Sequence, residues 1–359
     1  MTDRPPLPAE EVCKAIEHRN PSRVPMMIHQ WNYAGAFGDD TPKVQAIMDD
    51  YPSDLFTVYA DFPAFWAGQH ERDAQYSWLP WEEPEKVETA QGVGIDSHAP
   101  IAHIEQFKEV FEHFPDANAP WLMRDDTTQA IADGGGRYSA MHWAFCFYER
   151  MWSIRGMENI LCDFYESPKV MHELLDRLCD FYVTLIRRTA REHPSINAIY
   201  TTDDIGMQTG PMFSPAIFKE FFKPRYKRMI DAAHEGNMHF WLHTCGDVTL
   251  FMEDFIEIGL DVIHPIQKYT MDEPEVAEEF GGRIAFWAGM DVQQILPWGT
   301  PDDVRREVRF MIDTYDRPDG GCMITAGNGI TPDNPVENLA AFYDETYNYG
   351  LAHRAGFTS

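Results

Sequence analysis

The sequence predicts an α/β protein folded as a (β/α)8 TIM barrel, on three observations. Eight short β-rich runs recur along the chain: RVPMMIH (23–29), LFTVYA (55–60), YSAMHWAFCF (138–147), NAIYTT (197–202), MHFWLH (238–243), LDVIHP (260–265), RIAFWAG (283–289) and CMITAG (322–327). Segments with helical periodicity lie between them, among them PAIFKEFFKPRYKRMIDAAHEG (215–236), LFMEDFIEIG (250–259) and PDDVRREVRFMIDTY (301–315). The 359 residues, 44% of them hydrophobic, are enough to bury a barrel-sized core. Alternating strands and helices imply a parallel sheet covered by helices, and eight repeats imply closure.

Taken in order, the elements are bounded by recognisable signals. The helix at 301–315 follows Thr300-Pro301-Asp302-Asp303, a capping side chain before a proline at the first helical position. The interval 61–137 is irregular, aromatic and rich in proline. It reads as an insertion over the barrel mouth between the second and third strands, so that 1–359 forms a single barrel domain.

Charge excludes some partners. Asp and Glu number 58 against 29 Lys and Arg, a formal net charge of −29. No basic stripe is available to displace counterions from phosphates, so nucleic acid is not an expected partner, and anionic membrane surfaces are disfavoured for the same reason. The first residues, MTDRPPLPAEE, hold no basic segment leading into an apolar stretch, and no uninterrupted apolar run of membrane-spanning length occurs. The expectation is a cytoplasmic protein. The six cysteines have no paired spacings, which points to reduced thiols. No phosphate-binding P-loop, dinucleotide fingerprint or serine nucleophile elbow is present.

In a barrel of this kind, chemistry belongs at the C-terminal ends of the strands. Those ends carry His29-Gln30-Trp31, Asp61, Asp203-Asp204, His243-Thr244-Cys245, His264, Asp291 with Gln293, and Asn328. His243 and Cys245 stand one residue apart just past an apolar strand and before Gly246, so both side chains can reach one ion. Neutral imidazole and thiolate suit Zn²⁺, and a catalytic zinc takes three protein ligands plus an open position. For the third ligand Cys322 has the right chemistry but opens its strand, Asn328 sits at the mouth but is a poor ligand, and Asp203 or Asp204 offers a carboxylate. Two adjacent carboxylates in extended backbone point to different sides, so one of them at most faces a pocket. Asp61, among aromatics, would have its pKa raised by burial towards use as an acid. Aromatic residues gather near the mouth, among them Trp31, Tyr33 and Trp152, and such a wall suits a flat or apolar substrate.

The run DDIGMQTGPMFSPAIFKEFFKPRYKRMIDAAHEGNMHFWLHTCGDV (203–248), with IEIGLDVIHPIQ, WAGMDVQQILPWGTPDDVRREV and ITAGNGITPDNPVENL, resembles the uroporphyrinogen decarboxylase superfamily. The resemblance is strong from about residue 197 onward and diffuse between 62 and 137. It implies a (β/α)8 fold and two functional branches, true decarboxylases and zinc-dependent methyl- or alkyltransferases acting on corrinoids, coenzyme M or related thiols. Against the decarboxylase branch, the two substrate-binding arginines of the first strand are replaced by His29 and by Asn32 or Tyr33. Its tyrosine is matched by Trp152 and its final histidine by Asn328, although Asp61 matches its essential aspartate. The methyltransferase branch is marked by H-x-C, matched by His243 and Cys245, and by a distant cysteine. That cysteine's P-G-C-G motif aligns with Ala326-Gly327-Asn328-Gly329, which leaves Cys322 as a substitute by spacing alone.

The resemblance therefore implies a zinc-dependent methyl- or alkyltransferase-like enzyme. His243 and Cys245 would hold zinc with Cys322, Asp203 or Asp204. Asp61 or His29 would move a proton. Gln30, Trp31, Tyr33, Trp152 and Asn328 would hold a small-molecule substrate. A corrinoid (cobalamin) on a partner protein would donate or accept the methyl group, and a homodimer is the assembly the superfamily favours. The alternatives are a metal-free decarboxylase or lyase that uses Asp61, with Asp203 or Asp204 in support, and a non-catalytic corrinoid-binding accessory protein.

Overall fold

Seven of the eight β-rich runs become consecutive strands of one parallel sheet: β1 Leu55–Tyr59, β2 Tyr138–Trp143, β3 Ala198–Thr202, β4 His239–His243, β5 Val262–His264, β6 Ala285–Met290 and β7 Cys322–Ala326. They pair in sequence order, each parallel to the next. The computed structural model from which this is read describes residues 4–60, 85–89, 92–96, 101–112, 114, 116–124 and 126–357, with 85–89, 92–96 and 121 described by backbone alone.

The first run, expected as a strand over 23–29, is shorter than that. Met27 N–H donates to the Ile324 carbonyl (2.9 Å) and Ile324 N–H to the Pro25 carbonyl (2.9 Å), while Asp54 N–H donates to the Met26 carbonyl (3.0 Å). Residues 25–27 thus bridge β7 to the residue just before β1 and fill the eighth place. Pro25 brings no N–H, and a 3-10 turn at Ile28–Trp31 ends the run, so single bridges replace a ladder.

Alternation along the strands decides what enters the barrel. In β4, HFWLH, Phe240 and Leu242 join the core shared with the outer helices, whereas Trp241 packs into a second cluster with Met27, Leu55, Tyr138, Ala140, Ala198, Tyr200, Val262, Ala285, Trp287 and Met323. That second cluster is the barrel interior. Helix Ala9–Ile16 adds Val12, Ala15 and Ile16 to it, and the Ala15 carbonyl accepts from Gly321 N–H (2.8 Å) beside the start of β7, which plugs the N-terminal end. The same parity sends the last inward residues of β2, β3, β4 and β5 to the opposite end: His142, Thr202, His243 and His264.

Between β1 and β2 the described residues include an antiparallel hairpin, Glu85–Thr89 with Gly92–Asp96, and helices Phe107–Glu112 and Thr127–Asp133. Much of the expected insertion, Asp61 included, lies outside the described residues. No helix among the described residues is long and apolar enough to cross a membrane.

Candidate metal centre

The loops after β3 and β4 are pressed together backbone to backbone. A Cβ on Gly246, whose φ is +84°, would lie 2.3 Å from the Gly206 carbonyl carbon, and one on Gly206 would lie 2.6 Å from the Cys245 carbonyl oxygen. Only glycine permits this approach. Asp247 N–H donates to the Met207 carbonyl (2.8 Å) and Ile205 N–H to Thr244 Oγ1 (3.2 Å), so the two loops hold one register.

Asp203 and Asp204 diverge. Asp203 turns into the protein, where it accepts from Phe147 N–H (3.1 Å), Tyr148 N–H (3.1 Å), Glu149 N–H (2.8 Å) and the Tyr226 hydroxyl (2.5 Å). It caps helix Tyr148–Arg155, and burial pushes its carboxyl up to about 6 against the pull of these bonds. Asp204 turns the other way and accepts from Cys245 N–H (2.7 Å), with its side chain 41% exposed.

Asp204, His243 and Cys245 converge. One ligand atom from each lies within 4.8 Å of the others. His243 Nε2 stands 3.4 Å from Cys245 Sγ and 3.5 Å from Asp204 Oδ1. Zinc–nitrogen, –oxygen and –sulfur bonds set at tetrahedral angles put neighbouring ligand atoms about 3.4–3.6 Å apart, so the donors fit a zinc ion in kind, and the two distances from His243 fit it in spacing. On the far side of His243, its Nδ1 meets His264 Nδ1 at 2.6 Å, and His264 Nε2 donates to the Ala326 carbonyl at 2.9 Å. Trp31 stacks on His264 (ring centroids 5.2 Å) and tilts against His243 (5.2 Å).

Burial and the neighbouring carboxylates shift the titration of the clustered groups. Burial, then Asp204 and Glu149, push the Cys245 thiol up, with Asn328 pulling slightly the other way. Burial, then Asp204 and Asp203, push Glu149 well above the usual carboxylate range, although Thr202 Oγ1 donates to it (2.8 Å). Burial lowers the pKa of His243. A cation bound here would have to displace the thiol's proton, whereas the neutral imidazole could ligate without losing one.

A cleft of about 260 Å³ opens beside Cys245, lined among others by Gln208, Gln267, Lys268, Gln293 and Asn328. Lys268 is the only cation among the described lining residues, and it is paired with Glu273 (2.9 Å) and Glu307 (2.7 Å).

The uroporphyrinogen decarboxylase (URO-D) family model matches residues 148–349, more than half of the chain. The chain belongs to the uroporphyrinogen decarboxylase family. The similar curated proteins include the uroporphyrinogen decarboxylases of Methylococcus capsulatus, 25% identical over 203 residues (56% of this chain, 55% of that protein), and Pseudomonas aeruginosa, 25% identical over 187 residues (51% and 49%). The chain thus spans about half the length of the curated relatives it matches. Among solved structures, a methyltransferase from Methanosarcina mazei superposes with a TM-score of 0.64 at 14% identity, covering 94% of this chain and 98% of that one, a likeness of fold.

In this family member the other residues singled out from sequence fall in several places. Cys322 begins β7 at the opposite end of the barrel and faces the outer helices, fully buried, so it does not reach the cluster. Asn328 does: its Nδ2 lies 3.7 Å from Cys245 Sγ. His29 donates from Nε2 to the Tyr51 carbonyl (3.0 Å), and burial depresses its pKa to about 4. Gln30 accepts from Thr57 Oγ1 (2.9 Å), Trp152 meets Phe145 edge-on, Asn32 donates to the Tyr343 hydroxyl, and Tyr33 is 61% exposed. Asp291 caps the backbone N–H groups of Gln293, Gln294 and Ile295. Sequence reading passed over Glu149 and Gln267, whose Oε1 accepts from Gly246 N–H (2.6 Å). Glu149 carries a readable signal only as an acid in the first turn of a helix.

Proposed function

We propose that this chain is a zinc-dependent methyl- or alkyltransferase-like enzyme in which His243, Cys245 and Asp204 hold the metal. The observation that carries this reading is the convergence of those three donors within 4.8 Å of one another, with Cys245 and Asp204 3.4 and 3.5 Å from His243 Nε2, beside an open cleft. Bound zinc would lower the pKa of a thiol or other heteroatom nucleophile, readying it to take a methyl or alkyl group from a donor whose leaving group departs with the bonding pair. The chain's own residues do the rest. Gly206 and Gly246 hold Asp204 and Cys245 in register, Cys245 N–H orients the Asp204 carboxylate, and Asn328 donates towards Cys245 Sγ. The amides of Gln208, Gln267 and Gln293 offer the substrate hydrogen bonds without net charge. A corrinoid on a partner protein is the methyl donor or acceptor this reading favours.

The test is the zinc content of the purified protein. Wild type is expected to hold stoichiometric zinc, which His243→Ala, Cys245→Ala and Asp204→Asn each diminish and Cys322→Ala leaves unchanged. Full occupancy in both the His243→Ala and the Cys245→Ala proteins would sink the proposed site. A second reading, a corrinoid-binding accessory protein without turnover, is favoured by Asn328 at the motif's cysteine position. It predicts a wild type that takes up no zinc yet binds a methylcorrinoid protein. The metal-free decarboxylase alternative rests on Asp61 and predicts activity that survives chelation and is lost in Asp61→Asn.

A further inference from the structure

The bonded series Ala326–His264–His243 constrains where the ring hydrogens sit. A carbonyl oxygen only accepts, so His264 Nε2 carries a hydrogen and donates it to Ala326 across 2.9 Å. The His264 ring is 1% exposed and packs against Trp31 and Trp287, their centroids 5.2 and 4.6 Å away. Among the described residues its bonded partners are a carbonyl and another imidazole, neither of them a carboxylate, so an imidazolium there would be a buried charge with no counterion among those residues. A neutral ring with its hydrogen on Nε2 presents a lone pair at Nδ1. That lone pair faces His243 Nδ1 at 2.6 Å, so the hydrogen between them belongs to His243. The remaining nitrogen of His243, Nε2, faces Cys245 Sγ and Asp204, and in the neutral ring it is the one that carries the lone pair.

We propose that His264 is a positioning residue that locks His243 in its Nδ1–H form and so presents the Nε2 lone pair to the Asp204–Cys245 cluster. The purpose assigned to the lock rests on the zinc reading; the lock itself is a property of the metal-free protein. Metal-ligating histidines commonly depend on such a partner for tautomer and orientation. Here the partner is a second histidine, itself fixed by a backbone carbonyl and by indole packing.

Long-range ¹H–¹⁵N spectra of metal-free protein labelled at histidine read the tautomer directly, with His243 and His264 assigned by their loss in variants. Wild-type His243 is expected to show a protonated Nδ1 and an unprotonated Nε2. Zinc affinity is then measured by chelator competition in two variants. His264→Gln keeps a side-chain acceptor for His243 Nδ1–H and is expected to retain most of the affinity, whereas His264→Phe removes the acceptor and is expected to lose about 10–100-fold. Hydrogen on His243 Nε2 in the wild type overturns the proposal, as does His264→Phe zinc binding at wild-type strength, or His264→Gln binding no better than His264→Phe. Should His264→Phe not fold, the wild-type spectrum and the His264→Gln affinity still decide. The expected tautomer in a wild type that binds no zinc supports the lock and removes the zinc reading.

Discussion

Asp203 and Asp204 are neighbours in sequence with opposite surroundings, and single substitutions should separate them. Asp203 meets three backbone N–H groups and a tyrosine hydroxyl in the interior. Replacing it by asparagine turns an acceptor into a donor facing donors, and is expected to cost about 2–4 kcal/mol in denaturant unfolding while zinc content per folded molecule persists. Asp204→Asn is expected to do the reverse, with stability close to wild type and zinc lost. Equal behaviour of the two variants would contradict the division. His29 gives a pH test. Its pKa is depressed by burial to about 4, below the ordinary histidine value. The unfolded chain therefore binds the extra proton first, and the stability this neutral ring contributes is lost as pH falls from about 6.5 towards 4. Unfolding free energies at both ends of that window should show wild type losing about 2 kcal/mol more than His29→Gln. Parallel losses would show that the ring titrates as if in water.

At the scale of elements, the strands were readable and the loops were not. The eight β-rich runs are short and largely apolar from residue to residue, and seven became strands because such runs fit a parallel sheet buried on both faces. The end of HFWLH was enough to put His243 at the mouth, whereas only the fold shows that Trp241 lies inside and Phe240 and Leu242 outside. The choice between Asp203 and Asp204 was not readable, because it depends on the start of helix Tyr148–Arg155, distant in sequence, which claims Asp203 as its cap. Glu149 was hidden for the same reason. Cys322 follows the opposite logic: strand position and parity, both present in the sequence, place it away from the mouth. The element on which the cluster most depends is the Gly206–Gly246 contact. Gly246→Ala brings a Cβ to 2.3 Å from backbone at φ +84°, and is expected to destabilise by more than about 2 kcal/mol and to weaken zinc binding together. Intact zinc affinity in that variant would show that loop register does not set the ligand spacing.

Across the whole molecule, charge and cleft agree. A formal net charge of −29 repels polyanions at a distance, and in the cleft Lys268 is already held by two glutamates. An octacarboxylate porphyrin titrated into the protein at physiological salt is therefore expected to show no saturable binding. Saturable binding would return the decarboxylase reading to the front. The family's barrel survives in this chain while the motif's cysteine is Asn328, and the account turns on whether Asp204 supplies the donor that Asn328 does not. X-ray absorption of the zinc-loaded protein tests that most directly. The prediction is a single sulfur at about 2.3 Å with the remaining ligands nitrogen or oxygen at about 2.0–2.2 Å. A shell with two sulfurs, or one with none, would contradict it.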